Sequence, residues 1–205
     1  MDMSKGNAHL TELLLDEELM ERMVRAVEKV RDRLSRATRA LEQARIPYAV
    51  VGGHAIAAHV AEIDDSAVRN TPDIDILLRR SDFEAAKAAL STARFVHQQV
   101  NGLDTFLDGP GAKARDAVHV IYAGEKVRSI DCIAAPQVEE SEATPFHQVV
   151  ALEPLVKMKL TSFRDKDRMH LRDMIDVGLV DETWLARLPA ELAPRLKELL
   201  DNPEG

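Results

Sequence analysis

The chain has a single cysteine, Cys132, in 205 residues. An intrachain disulfide is therefore excluded, and no Cys/His spacing of the zinc-binding kind exists. Basic residues are not in excess either: 27 Lys and Arg stand against 35 Asp and Glu, a formal net charge of −8. That balance disfavours general adhesion to nucleic acid or an anionic membrane, while leaving room for a local basic patch. No stretch approaches the roughly 18 uninterrupted apolar residues of a membrane span. The opening "MDMSKGNAHLTELLLDEEL" lacks a basic region followed by a long apolar run, so the expectation is a cytoplasmic protein without a secretory signal. Internal repeats, low-complexity segments, the Walker pattern and the GxGxxG fingerprint are all missing, which removes the ordinary P-loop and Rossmann readings. What is present is 45% apolar and 30% charged residues, the make-up of a globular chain with one sizeable core.

Leu19, Met20, Met23, Val24, Val27, Val30, Leu34 and Leu41 recur at steps of three and four, which predicts an amphipathic helix over 16–44. After Pro47, "IPYAVV" turns extended, "GGHAIAAHVAE" reads as a glycine turn opening a short helix, and "DIDILL" as a second strand. Ser81 and Glu84 have the spacing of a capping box, so a helix is expected to start there. "FVHQQV", "DTFLDG" and "AVHVIYAG" predict an antiparallel meander, and "RSIDCIAAP" offers a further strand or edge segment. Beyond Pro145 the composition is helical, with Pro154 near a first turn and a second helix ending at Gly178. Met20, Met23, Met158 and Met174 are expected to fill gaps in the core, with Trp184 and Phe163 as packing anchors. His54 and His59 lie one or two turns into the helix after the glycines and are expected to be structural, with His54, close enough to the turn to touch a phosphate, in a capping or surface role. Three regions are expected: an N-terminal helix packed on the core (1–45), an α/β core (46–137) and a C-terminal helical region (145–205).

Three groups of residues could carry chemistry. Gly52 and Gly53 stand between a strand and a helix, where backbone N–H groups and the helix dipole favour an anion; a tight turn would need the same glycines. Asp73 and Asp75 are two apart on an extended segment and so share a face. Their repulsion can be offset by a hard cation such as Mg²⁺, by Arg69, Arg79 and Arg80, or simply by water at a solvated strand end. Lys157, Lys159, Arg164, Lys166 and Arg168 form a basic cluster that suits phosphate contact, or an exposed helix pair laced with salt bridges through Asp165, Asp167 and Asp173.

Taken together, "YAVVGGHAIAAHV" followed by "RNTPDIDILL" resembles the nucleotidyltransferase superfamily, with its GG or GS turn and D-x-D strand. Within it the stretch looks most like the AbiEii-like abortive-infection toxin branch, and "LVKMKLTSFRDKDRMHLRDM" is similar to that branch's lysine-bearing helix, R-x-K-D turn and second helix. The resemblance covers about residues 46–177. It implies an α/β (α+β) fold with a small mixed sheet, a long N-terminal helix and a C-terminal helical tail. It also implies an NTP held at Gly52 and Gly53, Mg²⁺ (or Mn²⁺) held by Asp73 and Asp75, and phosphate contacts from Lys159, Arg164 and Lys166. The implied reaction moves an NMP group to a hydroxyl acceptor of RNA, protein or a small molecule, in a toxin-antitoxin setting. A third carboxylate usually completes such a site. Here "AVHVIYAG" offers His119, a metal ligand or general base or an ordinary structural histidine; Asp116 and Asp131 are substitutes whose placement depends on strand register. The rival expectation is a weakened module that binds nucleotide or a partner protein, with the N-terminal helix as a partner or homodimer surface.

Overall fold

Tyr48, Ala49, Val50 and Val51 are all buried, so this short segment can only be the centre of a covered sheet. A computed structural model, which describes residues 3–113 and 116–203, places it there as β1 (Tyr48–Val51). The chain enters from α1 (Met3–Gln43) through a turn in which the Ile46 N–H donates to the Leu41 carbonyl. Pro47 then prevents the helix from resuming. Gly52 opens α2 (Gly52–Ala61), and the chain returns as β2 (Ile74–Leu78). The helix α3 (Phe83–Thr92) leads to the meander β3 (Val96–Val100), β4 (Leu103–Leu107) and β5 (Ala117–Tyr122). A hairpin of β6 (Ser141–Ala143) and β7 (Gln148–Val150) follows, then α4 (Leu152–Ser162), α5 (Asp165–Asp176) and α6 (Ala193–Asp201).

Among the described residues, seven strands form one mixed sheet in the order β3-β4-β5-β2-β1-β7-β6. β1 and β2 are antiparallel with Val51 opposite Asp75. β2 and β5 are parallel with Asp75 beside His119. Leu34, Ala37 and Leu41 of α1 join the same apolar core as the strands, Leu155 and Leu160 of α4, Leu171 and Met174 of α5, and Leu196 and Leu199 of α6. The mixed α/β architecture, the long first helix and the helical C-terminal region are those expected from the sequence.

Several local expectations fail for identifiable reasons. α1 begins at Met3 rather than near residue 16. The Ser81–Glu84 capping box does not form: residues Arg80–Asp82 make a 3₁₀ turn, α3 starts at Phe83, and Ser81 turns its hydroxyl to Asp82. "RSIDCIAAP" is not a strand, because Asp131 accepts from the Arg128 N–H and guanidinium and holds the segment as a turn. Two strands instead lie in "SEATPFHQVV", where β7 gains a parallel partner in β1 at Val50–Val149. Met20 and Met23 do not fill the core but are exposed, whereas Met174 is buried and Met158 packs against the core as expected. His59 is buried, with Nε2 at 2.9 Å from the Val150 carbonyl and Nδ1 at 3.3 Å from Glu142. It ties α2 to the β6–β7 hairpin, the structural role expected of it.

Gly52 has φ +69°, and a Cβ there would sit 2.1 Å from Asp75 Oδ2. Gly102 has φ +79° with nothing within 4 Å of the same position. The two therefore separate backbone strain from crowding. Gly102→Ala is expected to cost about 1–2 kcal/mol in urea unfolding, the left-handed term alone. Gly52→Ala is expected to cost about 1–3 kcal/mol more, from overpacking against the Asp75 side chain.

Candidate active site

The β1–β2 register is what assembles the site. With Val51 opposite Asp75, the next residue on β1's side is Gly52, and the Asp75 carboxylate lies in the space that a side chain there would fill. A Cβ at Gly53 would meet Thr71 at 2.8–3.0 Å, so the segment leading into β2 also runs against the glycines. Gly52, with φ +69°, makes the tight turn that the sequence left open beside anion binding, and both glycines also allow these side chains to approach closely. Gly53, with Asn70, Thr71, Pro72, Asp73 and Asp75, forms one wall of a cavity of about 470 Å³. Arg69, Lys159, Arg164, Lys166, Met169 and His170 complete its lining.

The three arginines offered as neutralising partners for the aspartate pair are engaged elsewhere. Arg69 reaches Asp173 at 2.8 Å, Arg79 pairs with Glu139 and Asp82, and Arg80 binds Glu125 at 2.6 Å while lying over the Tyr122 ring. Asp73 meets Lys166 at 3.7 Å, and Asp75 meets His119 Nδ1 at 3.4 Å. The register places His119 directly beside Asp75 on the neighbouring strand, the position at which the resemblance asks for a third carboxylate. Neither substitute stands there. Asp131 is bound into its turn with Arg128, and Asp116 lies in the turn ahead of β5, its N–H donating to the Lys113 carbonyl.

The basic cluster divides. Lys157 pairs with Glu153 on its own helix at 2.6 Å, and Arg168 faces Glu198 and the Phe163 ring. Lys159, Arg164 and Lys166 line the cavity. Asp167 organises the first two of these. Its side chain accepts from Lys159 at 3.1 Å and from Arg164 Nε at 2.9 Å, and it also accepts from the Arg164 N–H at the start of α5. Burial alone would raise the Asp167 carboxyl, but the Lys159 charge and the hydrogen bonds from Arg164, Ser162 and Lys159 hold it down at about 2. Burial lowers the Lys159 ammonium, with Asp167 and Asp75 partly restoring it. Phe163, in the left-handed conformation, ends α4, and Arg195 of α6 donates to the Leu160 and Thr161 carbonyls there. The α4–α5 corner is thereby fixed against the aspartates.

His170 is a cavity residue that sequence reasoning did not single out. The signal was its place four residues after Lys166, which puts both on one face of a helix. Burial and then the Lys159 charge lower its imidazole to about 4. His54, in the first turn of α2, is likewise lowered to about 4, by burial against a partial pull upward from Asp75. Both are neutral near pH 7, and His54 Nε2 and His170 Nδ1 have no hydrogen-bond partner among the described residues.

The donor set fits a hard divalent cation that shares its coordination with a ligand. Two carboxylates from one segment face the cavity, and the glycine beside Asp75 leaves room for its carboxylate. Among the described residues no group of three or more His, Cys, Asp or Glu is arranged around one metal position. Mg²⁺ is commonly bound through one or two carboxylates together with substrate phosphates.

Removing Asp167 leaves the buried Lys159 ammonium without its partner. Asp167→Ala is expected to destabilise the fold by about 3–5 kcal/mol in chemical denaturation, and Asp167→Ala/Lys159→Met to recover much of that. The histidines set a pH dependence. In the unfolded chain they take up protons near 6.5, in the folded chain near 4. The unfolded state therefore binds more protons between those values, and stability falls as pH drops from 6.5 to 4. His54 contributes up to roughly 3 kcal/mol of that fall. His54→Asn is expected to flatten the corresponding part of the Tm-against-pH curve.

No protein-family model matches the sequence, and no curated protein matches it. Among solved structures, the chain is similar to a solution structure of the antibiotic-resistance factor ANT(2'')-Ia, at 13% identity and a TM-score of 0.42, covering 86% of this chain and 82% of that one. It is also similar to a crystal structure of ANT(2'')-Ia in complex with adenylyl-2''-tobramycin, at 15% identity and a TM-score of 0.40, covering 84% of this chain and 97% of that one.

Proposed function

We propose that the chain is a metal-dependent nucleotidyltransferase that moves an NMP group from an NTP to a hydroxyl acceptor. The observation that carries this reading is the divided cavity wall. Asp73 and Asp75 face it from the β2 side, and Lys159, Arg164 and Lys166 face it from α4 and α5. In this reading Asp73 and Asp75 hold Mg²⁺ or Mn²⁺, which when bound neutralises charge on the attacking and leaving oxygens. Lys166 and Arg164, the more exposed cations, take the β- and γ-phosphates, while Lys159 supplies fixed positive charge behind them. Gly53, at the start of α2, lines the cavity, where the helix dipole favours the phosphates. The acceptor oxygen attacks the α-phosphorus in line, its bond to phosphorus forms as the bond to the bridging oxygen breaks, and pyrophosphate leaves. His119, whose Nδ1 is turned to Asp75, stands in for the third carboxylate and is the base that receives the acceptor proton. The acceptor classes are an RNA end, a protein side chain and a small molecule, and a toxin role is the biological setting suggested by the AbiEii-like sequence pattern.

One observation favours a second reading, a module that binds nucleotide without transferring it: a histidine stands where a third carboxylate is expected. Label transfer from α-³²P-NTP, with each acceptor class supplied, separates the two. Asp75→Asn is expected to lower transfer about 10²–10³-fold, the loss of several kcal/mol of charge stabilisation, with Tm close to wild type. EDTA is expected to abolish it. NTP-dependent thermal stabilisation in Mg²⁺ without transfer to any acceptor would favour the binding module. A flat thermal response to all four nucleotides would remove both readings.

A further inference from the structure

The first helix carries more apolar surface than its domain covers. Met20, Val27, Leu34 and Leu41 fall seven residues apart, and Met23, Val30 and Ala37 form a second series at the same spacing. A strict seven-residue repeat defines a narrow seam suited to a partner helix. The two ends of this seam differ. Leu34, Ala37 and Leu41 are buried in the core, while Met20 and Met23 are 58% and 55% exposed and Val24 is 52% exposed. The exposed part is nevertheless rooted. Just beyond it, the buried Arg33 donates to Asp108 and to the Pro72 carbonyl, and Arg36 binds Asp108 at 2.6 Å. The seam is thus presented on a helix whose base is fixed, which lowers the ordering cost of pairing.

The charges identify the occupant. Residues 16–21 carry Asp16, Glu17, Glu18 and Glu21 and no basic residue. Residues 22–31 carry Arg22, Arg25, Lys29 and Arg31, with Glu28 as the one acid. A second copy laid parallel would set like charges together. Laid antiparallel about an axis near residue 25, it sets the acidic end of each copy on the basic part of the other. Met20 then lies level with Val30 and Met23 with Val27. Glu17, which flanks the seam, comes within reach of Arg31, which flanks it on the other copy, while Glu21 stays paired with Arg25 on its own helix. Such self-complementarity is the property of a two-fold interface. We propose that the chain forms an antiparallel homodimer through residues 16–31 of α1, a contact that spans about 24 Å of helix.

Sedimentation equilibrium of the full chain tests this. A species of twice the 22.8 kDa chain mass is expected at concentrations of about 100 μM, dissociating on dilution as a short helix pair should. Met20→Glu/Met23→Glu is expected to weaken association at least about a hundredfold, each copy having to bury charge at the seam, with Tm and far-UV circular dichroism unchanged. Glu17→Lys is expected to weaken it several-fold, and adding Arg31→Glu to the same chain to restore it. In a Cys132→Ser background, Ala26→Cys, near the axis, is expected to cross-link readily and Glu17→Cys slowly. A monomer throughout that concentration range overturns the proposal, as does a dimer that survives Met20→Glu/Met23→Glu. Equal cross-linking at positions 17 and 26 would mean a parallel pair, and overturns it too.

Discussion

The candidate site depends on one close approach, that of the Asp75 carboxylate to Gly52. Strand pairing sets it: once Val51 stands opposite Asp75, the carboxylate and the residue after Val51 compete for the same space, and only a residue without a side chain leaves room. The same residue must take a positive φ to turn the chain from β1 into α2. A single glycine therefore satisfies a backbone demand and a steric one at the point where the acidic segment meets a helix N-terminus. Gly53 repeats the steric half of this against Thr71. The segment 69–73 is held from the other side by Arg33, whose guanidinium reaches the Pro72 carbonyl. Asp73 is thus positioned by a glycine pair in front and a buried arginine behind.

The opposite wall rests on a buried ion pair, and its energetics show why it is there. Burying Lys159 and Asp167 together costs several kcal/mol of solvation per ion, which their attraction only approximately returns. An apolar pair would stabilise the fold as well or better. What the pair supplies is placement: Asp167 caps the start of α5, holds Lys159 from α4 and orients Arg164. Three cationic or backbone groups from two helices thereby share one fixed point. The corner carries a left-handed Phe163 and draws a third helix in through Arg195. Such a concentration of polar restraint at a cavity is expected where geometry matters more than stability.

Much of this arrangement was legible in the sequence because it rests on short-range pattern. The glycine turn, the D-x-D segment and the lysine-bearing helix each reflect a local demand, and the meander was readable from three extended runs split by turn residues. What was not legible depended on distant partners. β7 is a strand because β1 offers it an open edge, and three residues of sequence cannot announce that. Ser81 does not cap α3, because its hydroxyl donates to Asp82 and a 3₁₀ turn over Arg80–Asp82 moves the helix start to Phe83, a competition between neighbours that spacing does not rank. Asp131 could not be excluded beside the aspartates until Arg128 was seen to bind it. Met20 and Met23 are expected in the core because apolar residues at three- and four-residue steps read the same whether the domain covers that face or leaves it exposed. His170 was passed over because a lone histidine in a charged helix carries no signal until its face is known.

The electrostatics of the cavity narrow what can enter it. Its carboxylates lie on the β2 side and its cations on the α4–α5 side, with Lys166 and Asp73 as near as 3.7 Å where the two meet. Arg69, which also lines it, is neutralised by the largely buried Asp173. A bare polyanion would be drawn to Lys166 and Arg164 and repelled by Asp73 and Asp75. A bare divalent cation would meet the reverse. A cation already bound to a polyphosphate presents both signs in the order in which the wall presents their opposites, and each half screens the other from its unfavourable neighbours. Under the proposed function, metal and nucleotide would bind with positive coupling, each raising the other's affinity by the same factor, because linkage between two ligands of one site is reciprocal. The cavity can therefore be selective for a charged complex even within a chain whose net charge is −8, because the local order of charges, and not their sum, decides the fit.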